Sequence, residues 1–140
     1  MSKDILKLKP ERIWKNFYEL TQIPRPSKKE EKVIAYLKKF GEDLGLETIV
    51  DAVGNVIIKK PATPGMEKRK GVILQGHMDM VPQKNADTVH DFEKDPIDAY
   101  VDGEWVTAKG TTLCADNGMG VAAGMSVLQA ADIEHGPIEV

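Results

Sequence analysis

Gly71-Val72-Ile73-Leu74-Gln75-Gly76-His77-Met78-Asp79-Met80 is the stretch that decides the fold of this 140-residue chain. Val72, Ile73 and Leu74 form a short, uninterrupted apolar run. Such a run suits a strand covered on both faces. It breaks at Gln75 and Gly76, and His77 and Asp79 follow one pleat apart. Side chains alternate along an extended chain, so these two point the same way. In an open α/β sheet, ligands sit just beyond the carboxyl ends of the strands. A histidine and an aspartate sharing a side there are either a metal ligand and the carboxylate that orients it, or a buried, hydrogen-bonded histidine beside a solvated acid.

Upstream of this stretch the chain alternates helix and hairpin. Ile13, Trp14, Phe17 and Leu20 recur at helical spacing, which predicts a helix from Pro10 to about Leu20 with a core-facing stripe. Ile23-Pro24-Arg25-Pro26 is a rigid, extended break, because a residue before proline avoids the helical region. Ser27-Lys28-Lys29-Glu30 reads as a capping box opening a second helix. That helix carries Val33, Ile34, Leu37 and Phe40 on one side and closes near Leu44 with Gly45 in the left-handed position. Residues 46–51 and 55–60 read as a hairpin about Val53-Gly54-Asn55, and residues 61–70 as an exposed connection.

Downstream, residues 80–96 lack periodicity and read as a long surface loop in which His90 is a solvated side chain. Residues 97–100 and 104–108 flank Val101-Asp102-Gly103, a second hairpin, with Trp105 expected to pack it onto the domain. From Met119 to Ala131 the chain is rich in Ala, Gly, Met, Val and Leu, which predicts a buried helix lying close to the sheet. Asp116 and Asn117 stand at its start. They are either a cap on the helix or a carboxylate held to meet a cation, and these roles are not exclusive. The order of elements favours an α/β fold with a mixed central sheet flanked by helices.

Composition narrows the function classes. Nineteen basic and 22 acidic residues leave a net charge of −3, which gives no reason to expect a nucleic acid or an anionic membrane as partner. The single cysteine, Cys114, excludes an internal disulfide framework and fits a reducing compartment. The N-terminus has no apolar core of signal-peptide length, and no run approaches ~18 apolar residues. A cytoplasmic location is expected. Ile138-Glu139-Val140 reads as the opening of a strand, so the chain is expected to be part of a longer protein.

With His77-Met78-Asp79 and Asp116-Asn117-Gly118 both in view, the sequence resembles the two-metal aminopeptidase and carboxypeptidase superfamily, and within it the Xaa-His (aminoacyl-histidine) dipeptidase branch. The likeness runs through Ile23-Pro24-Arg25-Pro26-Ser27, Gly76 to Asn85, Asp102-Gly103-Glu104-Trp105 and Gly110 to Gly118, and so covers nearly the whole chain. It implies that residues 1–140 are the N-terminal portion of a metallopeptidase catalytic domain. It implies that His77 is a metal ligand, that Asp79 is the catalytic-site acid that orients it, that Asp116 is the carboxylate bridging two metals, and that the Asp116–Asn117 peptide is cis. The implied cofactors are two divalent ions, zinc or else manganese or cobalt. The implied reaction is hydrolysis of small peptides of the β-alanyl-histidine type, in a protein that forms a homodimer. A tripeptide aminopeptidase, an amidohydrolase of the same superfamily, and a non-catalytic domain on the same fold are the competing readings. The resemblance also implies a Glu-Glu pair beyond Ile138, one glutamate being the general base, together with further Asp and His ligands. None of these lies within the 140 residues, so the chain by itself is expected to be inactive. Cys114 stands where the family more often has glycine, and it is expected to be a small buried residue rather than a third ligand.

Overall fold

The computed structural model describes residues 2–140. Three α-helices carry the core: α1 (Glu11–Thr21), α2 (Glu31–Asp43) and α3 (Ala115–Gln129). Strands β1 (Glu47–Val50), β2 (Val56–Lys60), β3 (Val72–Ile73) and β6 (Ile138–Glu139) form one sheet in the order β1-β2-β6-β3. Strands β4 (Ala99–Asp102) and β5 (Trp105–Ala108) form a separate hairpin. The sheet is mixed: β1 and β6 run antiparallel to β2, while β3 runs parallel to β6. The expected α/β architecture is therefore present.

The apolar stripe of α1 behaves as its spacing predicts. Phe17 and Leu20 are buried, and Trp14 meets Phe17 edge to face with ring centroids 6.0 Å apart. This face packs along α3, where Ala122, Met125 and Leu128 are buried. The α1–α3 seam also contains a polar tie, because Asn16 is buried and donates to Ser126 Oγ (3.0 Å) and Gln129 Oε1 (2.8 Å). A buried amide needs such partners to offset its desolvation. Lys60 on β2 donates through Nζ to the carbonyls of Val127 and Ala130, which satisfies the end of α3 and holds it to the sheet. Helix α2 ends as predicted, with Gly45 at φ +70° after Leu44.

Four expectations are not met. The run Val72-Ile73-Leu74 yields only a two-residue strand, and it is not covered on both faces: Val72 and Ile73 are 51% and 71% exposed. An apolar run shows that a strand can be buried, but its neighbours decide whether it is, and β3 lies at the sheet edge with β6 as its partner. Ser27-Lys28-Lys29-Glu30 is not a capping box. Lys28 takes a left-handed conformation, α2 starts at Glu31, and Glu30 accepts from the Lys28 amide instead. Trp105 does not pack the second hairpin down; it is 76% exposed beside a groove formed with Trp14, Leu113 and Met119. The turn also lies later than expected, with Gly103 at φ +60° between β4 and β5. No helix among the described residues is long and apolar enough to cross a membrane.

Candidate metal centre

The chain beyond β3 stays extended to Met80. There it is zipped to the Pro-rich break: Ser27 N donates to Met80 O, and Met80 N donates to Arg25 O, each at 3.0 Å. His77 and Asp79 lie on one side of this segment, as the sequence predicts. Asp79 Oδ1 lies 2.9 Å from His77 Nδ1. On its other oxygen, Asp79 Oδ2 accepts a 2.5 Å hydrogen bond from Ser27 Oγ.

Asp116 arrives from the opposite direction. Cys114 has φ +68°, and Asp116 and Asn117 depart from helical angles, so the chain kinks before α3 becomes regular. The Asp116–Asn117 peptide is cis. Asp116 caps no backbone amide. It projects into solvent, its side chain 94% exposed, and sets Oδ1 3.0 Å from His77 Nε2. Asn117 folds back, and room for its side chain comes from two glycines. A Cβ at Gly76 would stand 2.4 Å from Asn117 Oδ1, and one at Gly120 would stand 2.3 Å from the same atom.

Both ring nitrogens of His77 thus face carboxylate oxygens. A neutral imidazole carries one N–H and one lone pair. If Nδ1–H donates to Asp79, Nε2 offers a lone pair to an Asp116 oxygen that also has only lone pairs. Two acceptors at 3.0 Å need a cation between them or a proton shared by them. The histidine accordingly holds its proton more tightly than usual, chiefly through the Asp116 hydrogen bond, against partial desolvation and with Asp79 adding to the effect. Asp79 is held below the usual carboxylate range, first by the Ser27 hydroxyl and then by His77, against the opposing effect of burial.

The donor chemistry suits a divalent ion. Zinc takes imidazole nitrogen and carboxylate oxygen at about 2.0–2.2 Å, so two such donors 3.0 Å apart can share one ion. The set is incomplete. No group of three or more His, Cys, Asp or Glu side chains able to hold a metal occurs among the described residues. Cys114 is not a third donor. It is buried, its Sγ lies 3.0 Å from Met80 Sδ, and burial pushes its thiol up to about 11. His90 is not the solvated side chain expected. Its ring stacks edgewise on Phe92 with centroids 4.4 Å apart, and its Nε2 is buried without a hydrogen-bond partner. Two cavities, of about 440 and 430 Å³, are lined by other residues, while His77 and Asp116 lie at the surface with side chains 51% and 94% exposed. No local spacing marks Ser27 or Arg25 as site residues, because their partners at the site lie more than 50 positions away in sequence.

No protein-family model matches the chain. It is 52% identical over 137 residues to the cytosol non-specific dipeptidase of Escherichia coli (strain K12), covering 98% of this chain and 28% of that protein. Its structure superposes on the aminoacylhistidine dipeptidase of Vibrio alginolyticus with a TM-score of 0.95 at 57% identity, over 97% of this chain and 28% of the other. A tripeptidase from Staphylococcus aureus matches with a TM-score of 0.73 at 25% identity, over 92% and 35% of the two chains. The chain therefore spans about 28% of the length of the curated relative it matches.

Proposed function

Over the stretch it shares with them, this chain is a homologue of the aminoacylhistidine and cytosol non-specific dipeptidases, and from that premise we propose that it forms the N-terminal portion of the catalytic domain of a cytosolic, metal-dependent dipeptidase. The substrate class is a dipeptide, with histidine at its carboxyl end as the favoured case. The observation that carries the reading is the placing of carboxylate oxygens at both ring nitrogens of His77.

In this reading His77 and Asp116 would hold the divalent metal, Asp116 being the carboxylate able to serve two ions, and the full-length protein would be a homodimer. The ions are zinc, with manganese or cobalt as alternatives. When bound, such a pair supplies an acidified water and a polarised scissile carbonyl. The residues of this chain prepare for that chemistry. Asp79 holds the proton on Nδ1 and so directs the Nε2 lone pair outward. Ser27 fixes Asp79 through its second oxygen, so the carboxylate has one orientation to offer the ring. Asp116 is almost wholly exposed; its Oδ1 faces His77 Nε2, and its Oδ2 makes no hydrogen bond among the described residues.

The tripeptidase reading has weaker support, since that structure shares less of the sequence and superposes less closely. A hydrolysis assay separates the possibilities. Gly-His, β-alanyl-histidine and a tripeptide are supplied to the 140-residue chain and to a longer protein that continues past Val140, each with Zn²⁺ or Mn²⁺. The expected result is chelator-sensitive cleavage of the dipeptides by the longer protein and none by the short chain. Turnover by the short chain would overturn the inactivity claim, and cleavage unaffected by chelation would overturn the metal assignment.

A further inference from the structure

Arg25 is the largest side chain in the molecule to be fully buried, at 1% exposure. Its hydrogen bonds go to main-chain carbonyls and to no carboxylate. Nε donates to Leu20 O at 3.4 Å, Nη1 to Met78 O at 2.8 Å and Asp79 O at 3.2 Å, and Nη2 to Cys114 O at 3.1 Å. Burying a cation this deeply is costly unless its donors are satisfied. A plain stabilising role would call for carbonyls anywhere. Apart from Leu20 O, the carbonyls used here lie beside the candidate metal pair. Met78 lies between His77 and Asp79, Asp79 contributes its own carbonyl, and Cys114 stands two residues before Asp116.

The geometry points to Arg25 as a positioning residue that sets the spacing between His77 and Asp116. This rests on the metal-centre reading of that pair. Nη1, on one edge of the guanidinium, grips the chain just past His77, and Nη2 grips the kink that delivers Asp116. Further out, Thr112 ties the same two segments by hydrogen bonds to Val81 and Gln83. Arg25 ties them at the pair itself. A lysine cannot substitute, because its donors radiate from one point, whereas the planar fork spans acceptors on two segments. Gly118 is matched to this arrangement. A Cβ there would come within 2.7 Å of Arg25 Nη2 and 3.2 Å of Phe17 Cε2. A methyl at that position would push the fork aside at the end of a flexible side chain.

The test reads the His77 ring rather than catalysis. Long-range ¹H–¹⁵N spectra are recorded on the metal-free 140-residue chain, whose three histidines make assignment tractable. Wild type, Arg25→Lys and Gly118→Ala are compared at one pH. The expected result is that both His77 ring nitrogens leave their wild-type positions in the variants while the amides of residues 47–60 stay in place. A folded Arg25→Lys protein with unmoved His77 resonances overturns the proposal, even if its Tm falls. Should Arg25→Lys fail to fold, Gly118→Ala decides by the same criterion. Zinc added to the wild-type chain tests the metal reading separately: a His77 ring indifferent to zinc refutes ligation and leaves the Arg25 result standing.

Discussion

The hydroxyl of Ser27 donates to Asp79 across 52 positions of sequence, and Asp79 in turn holds the ring of His77. This makes Ser27 the outermost of three side chains acting in series. Ser27→Ala removes a hydrogen bond to a charged acceptor, which is worth about 1–3 kcal/mol. The expected outcome is a lower Tm together with a mobile Asp79. On the metal-centre reading, zinc affinity is expected to fall about 10–100-fold, as when outer partners of a ligand are lost. Calorimetric zinc titration of wild type and variant checks this. A variant that binds zinc with undiminished affinity would show that Ser27 serves only the backbone turn.

Gly76 and Gly120 approach the Asn117 side chain from two directions, and a Cβ at either lies under 2.5 Å from Asn117 Oδ1. Gly76→Ala is expected to destabilise the fold by about 1–3 kcal/mol, the usual cost of overpacking. Asn117→Ala in the same chain removes the obstructing group and recovers most of that loss. Urea unfolding of the two single variants and the double variant measures the coupling. Additive losses would contradict the proposed clash.

The thiol of Cys114 is inaccessible and raised to about 11, chiefly by burial and against the opposing Arg25 charge. The nucleophile in thiol reagents is the thiolate. At pH 8 the folded chain is therefore expected to react with a disulfide reagent far more slowly than the urea-unfolded chain. Zinc is expected not to change the folded rate. Protection by zinc would make Cys114 a ligand after all.

Burial pushes the Tyr36 phenol from 10.0 up to about 12, with Glu19 adding to the effect. The raised value favours the neutral phenol in the folded state. That contribution is intact below pH 10 and is lost as the pH climbs towards 12, since the unfolded chain ionises first. The loss is about 1–2 kcal/mol once the partial hydration of the half-buried ring is allowed for. Absorbance titration should show one of the three tyrosines ionising near pH 12. Tyr36→Phe should remove that step and flatten the alkaline fall in stability.

What could be read without coordinates follows the range of each physical signal. The stripes of α1 and α2, the Gly45 cap and the hairpin at Gly54 depend on neighbours a few residues away, and all appear where the spacing puts them. His77 and Asp79 share a side because alternation is local too. The misreadings come where one local pattern serves two ends. A Ser followed three residues later by Glu looks the same whether the hydroxyl caps a helix or reaches a distant carboxylate, and at Ser27 it does the latter. Val72 and Ile73 are apolar enough for burial, but apolarity cannot say which neighbour covers them. Arg25 was invisible because a charged residue between prolines usually belongs to a surface loop, and its burial depends on carbonyls from three separate segments.

Strand β6 joins β2 on one side and β3 on the other, through pairings such as Lys60 with Ile138 and Val72 with Ile138. The β1–β2 hairpin can zip up early from local contacts, but β3 has to wait for residues that are synthesised much later. Closing so long a loop is entropically slow. Strand β3 is thus among the last elements to be paired, although Arg25 and Ser27 already hold the segment beyond it at Met80, and until β6 is made β3 is a bare edge.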